Sequence, residues 1–379
     1  MFKHKIKSTP WPKTPATRTS VGAFAGSASS ACIAELASDD RLLVVITQDM
    51  QNALEIEREL PFFVAEDIEI LALPDWETLP YDNFSPHQDI VSERLHTLFR
   101  LPRVQRGVLV VPMPTLMHRL PPREYVVGSS LVLASGDALD IDNFRRSLEL
   151  GGYRSVDTVY EHGEFAIRGA VMDVFPMGSE WPFRIDLLDN EVDTLRTFDP
   201  ETQLTVARTE SIRLLPAREF PLNNAAVHRF QQNWFETFDG DPDRSPVFTE
   251  VSAGRVPGGC EYYLPLFFEA CATLFDYLPD RAAVITVGDH YRAATHFWGE
   301  VTTRYREYSI DPRRPLVSPE RGFVPVEELY AALKKQSVLE LHLQPDADVH
   351  VRVDATPPPE LAADIGSADL ATRLAALLD

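Results

Sequence analysis

A short segment rich in glycine, alanine and serine near the start of the chain has the spacing of a phosphate-binding loop. Such a loop, G-x-x-x-x-G-K-[ST], uses its glycines to bring backbone N–H groups close to the phosphates and its lysine to neutralise their charge. Aligned on Ser30, the chain has Ala23 and Ala28 in place of the two framing glycines. Ser29 replaces the lysine, and Gly26 is the one glycine that remains. Because the cation is missing, the segment predicts a degenerate loop that does not support ATP hydrolysis.

Two arginines and a leucine in the middle of the chain have the pattern of a protein-binding surface. In the segment FRIDLL, which begins at residue 183, strand alternation puts Arg184, Asp186 and Leu188 on the face opposite the other three side chains. Arg168 has the opposite parity to the apolar residues around it, so it also points away from the apolar face. Arginine makes planar contacts with carboxylates, and a neighbouring leucine adds apolar area. The alternative is that both arginines form ordinary salt bridges, for instance with Asp186 or Glu180.

The other clusters of polar side chains predict no catalytic or metal site. His87 and Asp89 are close in sequence, but no nucleophile lies nearby, so a structural hydrogen bond is expected. Four aspartates could suggest a metal site: Asp173, Asp186, Asp189 and Asp193. They follow strand alternation and lack the glycine pattern of a calcium loop, so no metal is predicted.

The charge balance bears on which partners the chain can bind, and the cysteines bear on the cellular compartment in which it works. The 379 residues include 36 basic and 57 acidic side chains, which gives a formal net charge of −21. A chain this acidic repels phosphate backbones, so autonomous binding to duplex DNA is disfavoured. Cys32, Cys260 and Cys271 form no CxxC pair, which predicts free thiols in a cytoplasmic protein without cofactor, zinc or disulfide. No apolar run reaches the roughly 20 residues of a membrane span.

The first third of the chain alternates apolar strands with helices. Strands are predicted at 42–46, 68–72 and 108–111, with helices at 51–63 and 91–101 between them. Continuous apolar strands separated by helices indicate a parallel sheet that is covered on both faces. The fold class predicted for this part is therefore α/β.

The pattern changes near residue 128 to one helix followed by strands. The helix is predicted at 142–150 with an aspartate cap, and the strands at 156–160, 164–175, 183–188 and 192–198. Asp189 and Asn190 fit a two-residue turn. A helix followed by antiparallel strands predicts a small α+β domain that ends near residue 216.

After residue 219 the alternation of helix and strand resumes, and it could complete the first domain. Helices are predicted at 225–238, 291–305 and 327–335, with a strand at 283–287. The predicted organisation is a flexible N-terminus (1–20), the first half of an α/β domain (21–127), an inserted α+β domain (128–216), the second half of the α/β domain (217–340), and a linker with the start of a truncated further domain (341–379).

Five sequence strings carry a resemblance to a known family. They are DWETLPYDNFSPHQD at 75–89, PMPTLMHR at 112–119, EHGEFAIRG at 161–169, FPMGSE at 175–180 and LLPAREF at 214–220. With these strings the chain resembles the bacterial transcription-repair coupling factors over residues 20–335. In that family this region is similar to UvrB, and the resemblance implies a degenerate P-loop or helicase-like parallel-sheet domain that is split by an inserted UvrA-binding domain.

The resemblance also implies which residues and partners matter. Arg168 and Arg184 match two arginines of the family's UvrA-binding surface, and Leu188 stands where relatives have an aromatic residue. The aromatic hairpin with which UvrB clamps DNA would fall between the string at 75–89 and the strand at 108–111, and this interval is too short and too helical to hold it. In the full-length family proteins, which are ATP-dependent DNA translocases, later domains contact RNA polymerase and duplex DNA.

These observations favour a module that recruits UvrA to a stalled transcription complex and performs no chemistry itself. One alternative is a UvrB-like ATPase or helicase that acts on damaged DNA. A third possibility is a scaffold whose main role is to pack against the rest of a longer chain.

Overall fold

The computed structural model describes residues 18–344 and 348–353 of the chain. The predicted linker and terminal helix beyond residue 353, and most of the predicted N-terminal tail, lie outside these residues. The strands are β1 (Arg18–Gly22), β2 (Leu42–Thr47), β3 (Glu69–Ala72), β4 (Gly107–Pro112), β5 (Leu131–Ala134), β6 (Arg154–Ser155), β7 (Glu164–Arg168), β8 (Val171–Val174), β9 (Phe183–Leu188), β10 (Glu191–Phe198), β11 (Thr205–Thr209), β12 (Ser211–Leu214), β13 (Ala283–Val287), β14 (Val338–His342) and β15 (Val351–Arg352). The helices are α1 (Ala28–Leu36), α2 (Met50–Phe63), α3 (Gln88–Arg100), α4 (Met113–Leu116), α5 (Arg123–Gly128), α6 (Ile141–Leu150), α7 (Asn224–Thr237), α8 (Pro246–Ser252), α9 (His290–Tyr308), α10 (Pro319–Gly322) and α11 (Val326–Leu333).

Seven strands form one parallel sheet in the order β15–β1–β14–β13–β2–β4–β3. Every residue of β2 and β4 is buried, and both strands are rich in valine and leucine. Strands of this composition are typical of a parallel sheet that is covered on both faces. The prediction of an α/β architecture with a parallel sheet is thereby confirmed. Strands from both sides of residues 131–214 lie in this one sheet.

Successive side chains of the parallel strands point to opposite faces of the sheet, so the core has two layers, one on each face. Val45, Val110 and Ile285 point to one face, where they share a buried cluster with Ile33 of α1 and Ile56 of α2. Val44, Leu109 and Val284 point to the other face, in a second cluster that contains Leu95 and Leu98 of α3. The second cluster continues into the middle of the chain, so the two parts are packed around shared apolar contacts.

The middle of the chain forms a six-stranded sheet in the order β11–β10–β9–β8–β7–β6. All its neighbouring strands are antiparallel except β6 and β7. We call the side that carries Phe165, Ile185 and Leu195 its inner face, because these residues join the buried cluster of Phe144 and Leu148 from α6. We call the opposite side the outer face.

Several local predictions for the middle of the chain were wrong. The predicted strand at 156–160 is a loop, because the Glu164 carboxylate accepts the backbone N–H groups of Tyr160 and Glu161 in place of a neighbouring strand. The predicted strand at 164–175 is a hairpin that turns at Gly169, where φ is +63°. Helix α6 begins at Ile141, and its cap is Asp140.

The strands at the ends of the large sheet differ from the predicted boundaries. Strand β1 begins at Arg18, inside the segment 1–20 that was predicted to be a flexible terminus, and pairs with β14. Strands β14 and β15 extend the sheet to Arg352, past the boundary predicted at residue 340. Sequence patterns missed these short strands because each is only two to five residues long.

A buried ion pair joins helix α3 to the segment that follows β12. Arg94 and Glu219 have side chains 0% and 2% exposed, and Arg94 Nε donates to Glu219 Oε1 over 2.5 Å. Trp76 Nε1 donates to the same oxygen over 3.1 Å, and Arg94 Nη1 donates to the Pro74 carbonyl over 2.7 Å. Burial alone would raise the pKa of Glu219, but the charge and hydrogen bonds of Arg94 hold it below its ordinary value.

His118 lies beside this pair and is also buried. Its ring packs edge-on against Trp76, with the ring centroids 4.6 Å apart, and its Nδ1 has no hydrogen-bond partner among the described residues. Burial, together with the nearby Arg94 charge, lowers the pKa of His118 to about 4. The folded protein therefore keeps this imidazole neutral.

We predict that Glu219→Ala lowers the free energy of unfolding by about 3–5 kcal/mol, because it leaves the Arg94 charge buried without a partner. Urea denaturation measures the change. Glu250→Ala is the control, since Glu250 pairs with Arg255 at the surface and its loss should leave stability nearly unchanged. A loss no larger than in the control would contradict the assigned role.

We also predict that stability falls as the pH drops from about 6.5 towards 4, by up to about 3 kcal/mol from His118 alone. The unfolded chain binds a proton at this residue in that range, whereas the folded chain excludes it. Urea unfolding at pH 7, 6 and 5 should give a shallower pH slope for His118→Gln than for the unmodified chain. Equal slopes would show that the buried imidazole does not account for the effect.

Candidate functional site

The degenerate phosphate loop lies between β1 and α1, where its serines bind a carboxylate of the protein itself. Ser27 Oγ donates to Glu59 Oε1 and Ser30 Oγ donates to Glu59 Oε2, each over 2.6 Å. Glu59 reaches this position from helix α2. The positive end of the α1 dipole, which in a phosphate-binding loop faces the ligand, here faces an internal anion.

A cavity of about 510 Å³ opens beside this segment. Its described lining includes Gly26, Ser29, Glu55 and Glu59, and it contains no lysine or arginine. Ser29 and Ser30 are both buried, so neither side chain replaces the missing lysine. The site thus presents carboxylates where a triphosphate would need cations. Sequence analysis identified the missing lysine but missed Glu59, which lies 29 residues beyond Ser30.

The interval in which the family resemblance would place a DNA-clamping hairpin has no strand in this chain. Between Ala72 and Gly107, a stretch that the structure describes throughout, the chain forms loops, helix α3 and one short 3₁₀ turn. Trp76 and Tyr81 of this stretch are buried, whereas Phe84 is 70% exposed. The aromatic residues of the loop therefore contribute mainly to the core.

The two predicted arginines lie on the outer face of the six-stranded sheet and share one partner. Both Arg168 and Arg184 donate to Asp173, which is fully buried on β8. Asp173 lies directly across from Arg184 in the strand register, and it was considered from the sequence only as a metal ligand. The predicted salt-bridge partners Asp186 and Glu180 do not pair with either arginine in the described structure.

Arg184 is held tightly and Arg168 is held loosely. The Arg184 guanidinium donates from Nε and Nη2 to the two Asp173 oxygens over 2.7 and 2.9 Å. It also lies over the Phe198 ring, 4.7 Å from the centroid. The hydrogen bond to Asp173 raises the pKa of Arg184 above its ordinary value. The Arg184 side chain is 20% exposed and that of Arg168 is 50% exposed, so the second guanidinium is the more accessible one.

Leu188 lies at the end of β9 on the same face, with 68% of its surface exposed. The turn that follows it contains Asp189, whose φ of +56° fits the predicted two-residue turn. An exposed leucine beside partly exposed arginines forms a small amphipathic surface. The structure thus brings Arg168, Arg184 and Leu188 to one face, as strand alternation predicted.

The part of the chain that the structure describes contains neither a candidate membrane span nor a candidate metal cluster. Across it, no helix is both long and apolar enough to span a membrane. No group of three His, Cys, Asp or Glu side chains has the arrangement of a metal site in the same residues. Burial raises the pKa of the Cys32 and Cys271 thiols to about 12, which makes both thiols poor nucleophiles.

Comparisons with known proteins place these features in a family. Residues 131–220 match the family described as the UvrB interaction domain. The chain is 45% identical to the transcription-repair-coupling factor of Escherichia coli over 316 residues, which are 83% of this chain and 27% of that protein. It is 41% identical to that of Haemophilus influenzae over 326 residues, 85% of this chain and 28% of the relative. A third relative, from Myxococcus xanthus, is 30% identical over 316 residues, 79% of this chain and 26% of that protein.

The chain thus spans about a quarter of the length of the curated relatives it matches. By this match the chain belongs to the family of the bacterial transcription-repair-coupling factors, and it corresponds to their N-terminal region with its UvrB interaction domain.

Proposed function

We propose that this chain is the UvrA-recruiting module of a transcription-repair coupling factor, which links a stalled RNA polymerase to nucleotide-excision repair. The observation that carries the proposal is the surface of Arg168, Arg184 and Leu188 on the outer face. All three residues lie inside the segment that matches the UvrB interaction domain. Arginines held by a carboxylate and flanked by an exposed leucine suit a partner surface that offers carboxylates and an apolar patch.

The proposed domain organisation follows the two sheets. Residues that form the six-stranded sheet would be a UvrA-binding domain inserted into a helicase-like α/β domain, because strands from both sides of it share the parallel sheet. RNA polymerase, duplex DNA and ATP-driven translocation would belong to the remaining three quarters of the full-length protein. Such a protein would act in the cytoplasm, where the transcription complex is found.

We further propose that this module performs no chemistry. The carboxylates of Glu55 and Glu59 line the cavity beside the degenerate loop, and the missing lysine leaves a triphosphate without a counter-charge. The rival function, a UvrB-like ATPase or helicase, requires this cavity to bind nucleotide. Nucleotide binding therefore separates the two functions.

We predict that the chain binds Mg-ATP with a Kd no tighter than about 1 mM, because the site offers negative charge in place of positive charge. Isothermal titration calorimetry with Mg-ATP measures this, and turnover is checked by phosphate release. Binding in the micromolar range that is abolished by Ser30→Ala would favour the ATPase function.

We predict that Arg168→Ala and Arg184→Ala each weaken binding to purified UvrA about tenfold, because each change removes a guanidinium from the proposed interface. Surface plasmon resonance with immobilised UvrA measures the affinities. Arg145→Ala is a matched control, since Arg145 is exposed on α6, which covers the inner face of the same sheet. Undiminished binding by both variants would remove these arginines from the proposed site.

A further inference from the structure

The outer face carries more arginine than the predicted pair. In the strand register, Asp173 on β8 lies across from Arg184 on β9, and Arg184 lies across from Arg196 on β10. Arg196 in turn lies across from Arg208 on β11. Residues directly opposite each other in a sheet point to the same face. The register therefore places three arginines in one row that crosses the sheet from Asp173 to its β11 edge.

The facing arginines of this row repel one another within the isolated chain. Like charges directly opposite each other on neighbouring strands destabilise a sheet unless other groups compensate them. Asp173 compensates Arg184, and Asp186 accepts from Arg196 Nη2 over 2.5 Å. Arg208 is exposed on the edge strand, and its guanidinium forms no ion pair or hydrogen bond with any described residue. Arg184 and Arg196 thus each have a carboxylate partner, whereas Arg208 on the edge strand β11 has none among the described residues.

Arg196 is itself only partly satisfied. Its side chain is 30% exposed, and its Nε is buried without a hydrogen-bond partner among the described residues. The same Asp186 carboxylate that binds Arg196 also accepts from Thr194 Oγ1 over 2.5 Å. Asp186 therefore holds Arg196 in place, and some N–H donors of Arg196 remain without a partner among the described residues.

The charges on this face give it a polarity. Along the arginine row and its neighbour Arg168, four guanidinium groups (Arg168, Arg184, Arg196 and Arg208) lie beside two carboxylates (Asp173 and Asp186), a local excess of two positive charges on a chain whose net charge is −21. Three strand spacings separate Asp173 from Arg208, which makes the row about 14 Å long. The acidic residues Asp189, Glu191 and Asp193 lie at the other end of β9 and β10, beside Leu188. A partner with one acidic strip would therefore dock in a single orientation.

We propose that Arg196 and Arg208 extend the partner-binding surface from the Arg168–Arg184 pair to the β11 edge, where they receive a strip of carboxylates on the partner. This inference rests on the proposed function, under which that partner is UvrA. Arg208 is the outer member, because its guanidinium has no partner among residues 18–344 and 348–353 and can form new ion pairs. Arg196 is the inner member, which Asp186 orients for a partner carboxylate.

The experiment compares Arg208→Glu, Arg208→Gln and Arg145→Glu with the unmodified chain in UvrA binding at several NaCl concentrations. Arg208 is exposed and its side chain has no partner in the described structure, so these changes should leave the fold intact, and a circular dichroism spectrum checks this. We expect Arg208→Glu to bind UvrA about tenfold more weakly, Arg208→Gln to lie between it and the unmodified chain, and Arg145→Glu to bind normally. The affinity of Arg208→Glu should also depend less steeply on NaCl, since fewer ion pairs form.

The possible results of this experiment distinguish a failure of the extended binding surface from a failure of the proposed UvrA-recruiting function. If the unmodified chain binds UvrA and Arg184→Ala weakens that binding, while Arg208→Glu behaves like Arg145→Glu, the extension is overturned and the proposed function stands. If the unmodified chain does not bind UvrA, both are overturned together. Weakening by Arg208→Glu with a reduced salt dependence supports the extension.

Discussion

The fold depends on the buried ion pair of Arg94 and Glu219. A lone charge at either position would be excluded from the interior, so each residue is tolerable only because the other is present. Glu219 belongs to the string LLPAREF, and it binds Trp76 of the string that begins DWETLP. His118 of the string PMPTLMHR packs on that tryptophan. Three separate strings that carry the family resemblance thus meet at one buried cluster, which gives a physical reason for their residue types.

A carboxylate of the protein itself also lies at the centre of each candidate site, the degenerate phosphate loop and the arginine surface. The two carboxylates have opposite effects on the charge of their sites. Glu59 binds the serines at the start of α1 and adds negative charge to a position that would need positive charge for a nucleotide. Asp173 binds two arginines, Arg184 through two hydrogen bonds and Arg168 through one, while both guanidinium groups remain partly exposed. The first carboxylate opposes an anionic ligand, whereas under the proposed function the second would hold a cationic surface in place for an anionic partner.

Sequence patterns predicted those parts of the molecule that depend on local periodicity. The parallel strands, helices α2, α3, α7 and α9, and the shared face of Arg184 and Leu188 followed from apolar runs and alternation. Sequence patterns gave wrong or incomplete predictions where the local structure depends on a contact with a residue from another part of the chain. Glu164 turns the predicted strand at 156–160 into a loop, Glu59 occupies the degenerate phosphate site, and Asp173 pairs with both arginines. These contacts join different elements, so no spacing within one element reveals them. The short strands β14 and β15 were missed because too few residues repeat to show a period.

Helix α3 connects the six-stranded sheet to the parallel sheet through several specific contacts. Besides the Arg94 pair, Asp89 of this helix binds His162 Nδ1 over 2.7 Å, and Ser92 Oγ accepts the Gly178 N–H over 2.8 Å. Gly178 has a φ of +76°, and a Cβ there would lie 2.9 Å from His96 of the same helix, so only glycine allows this close approach. These contacts join helix α3 to the segments that flank the strands of the six-stranded sheet. Under the proposed function, such contacts would favour docking, because freedom of motion between the two sheets would add an entropic cost to binding.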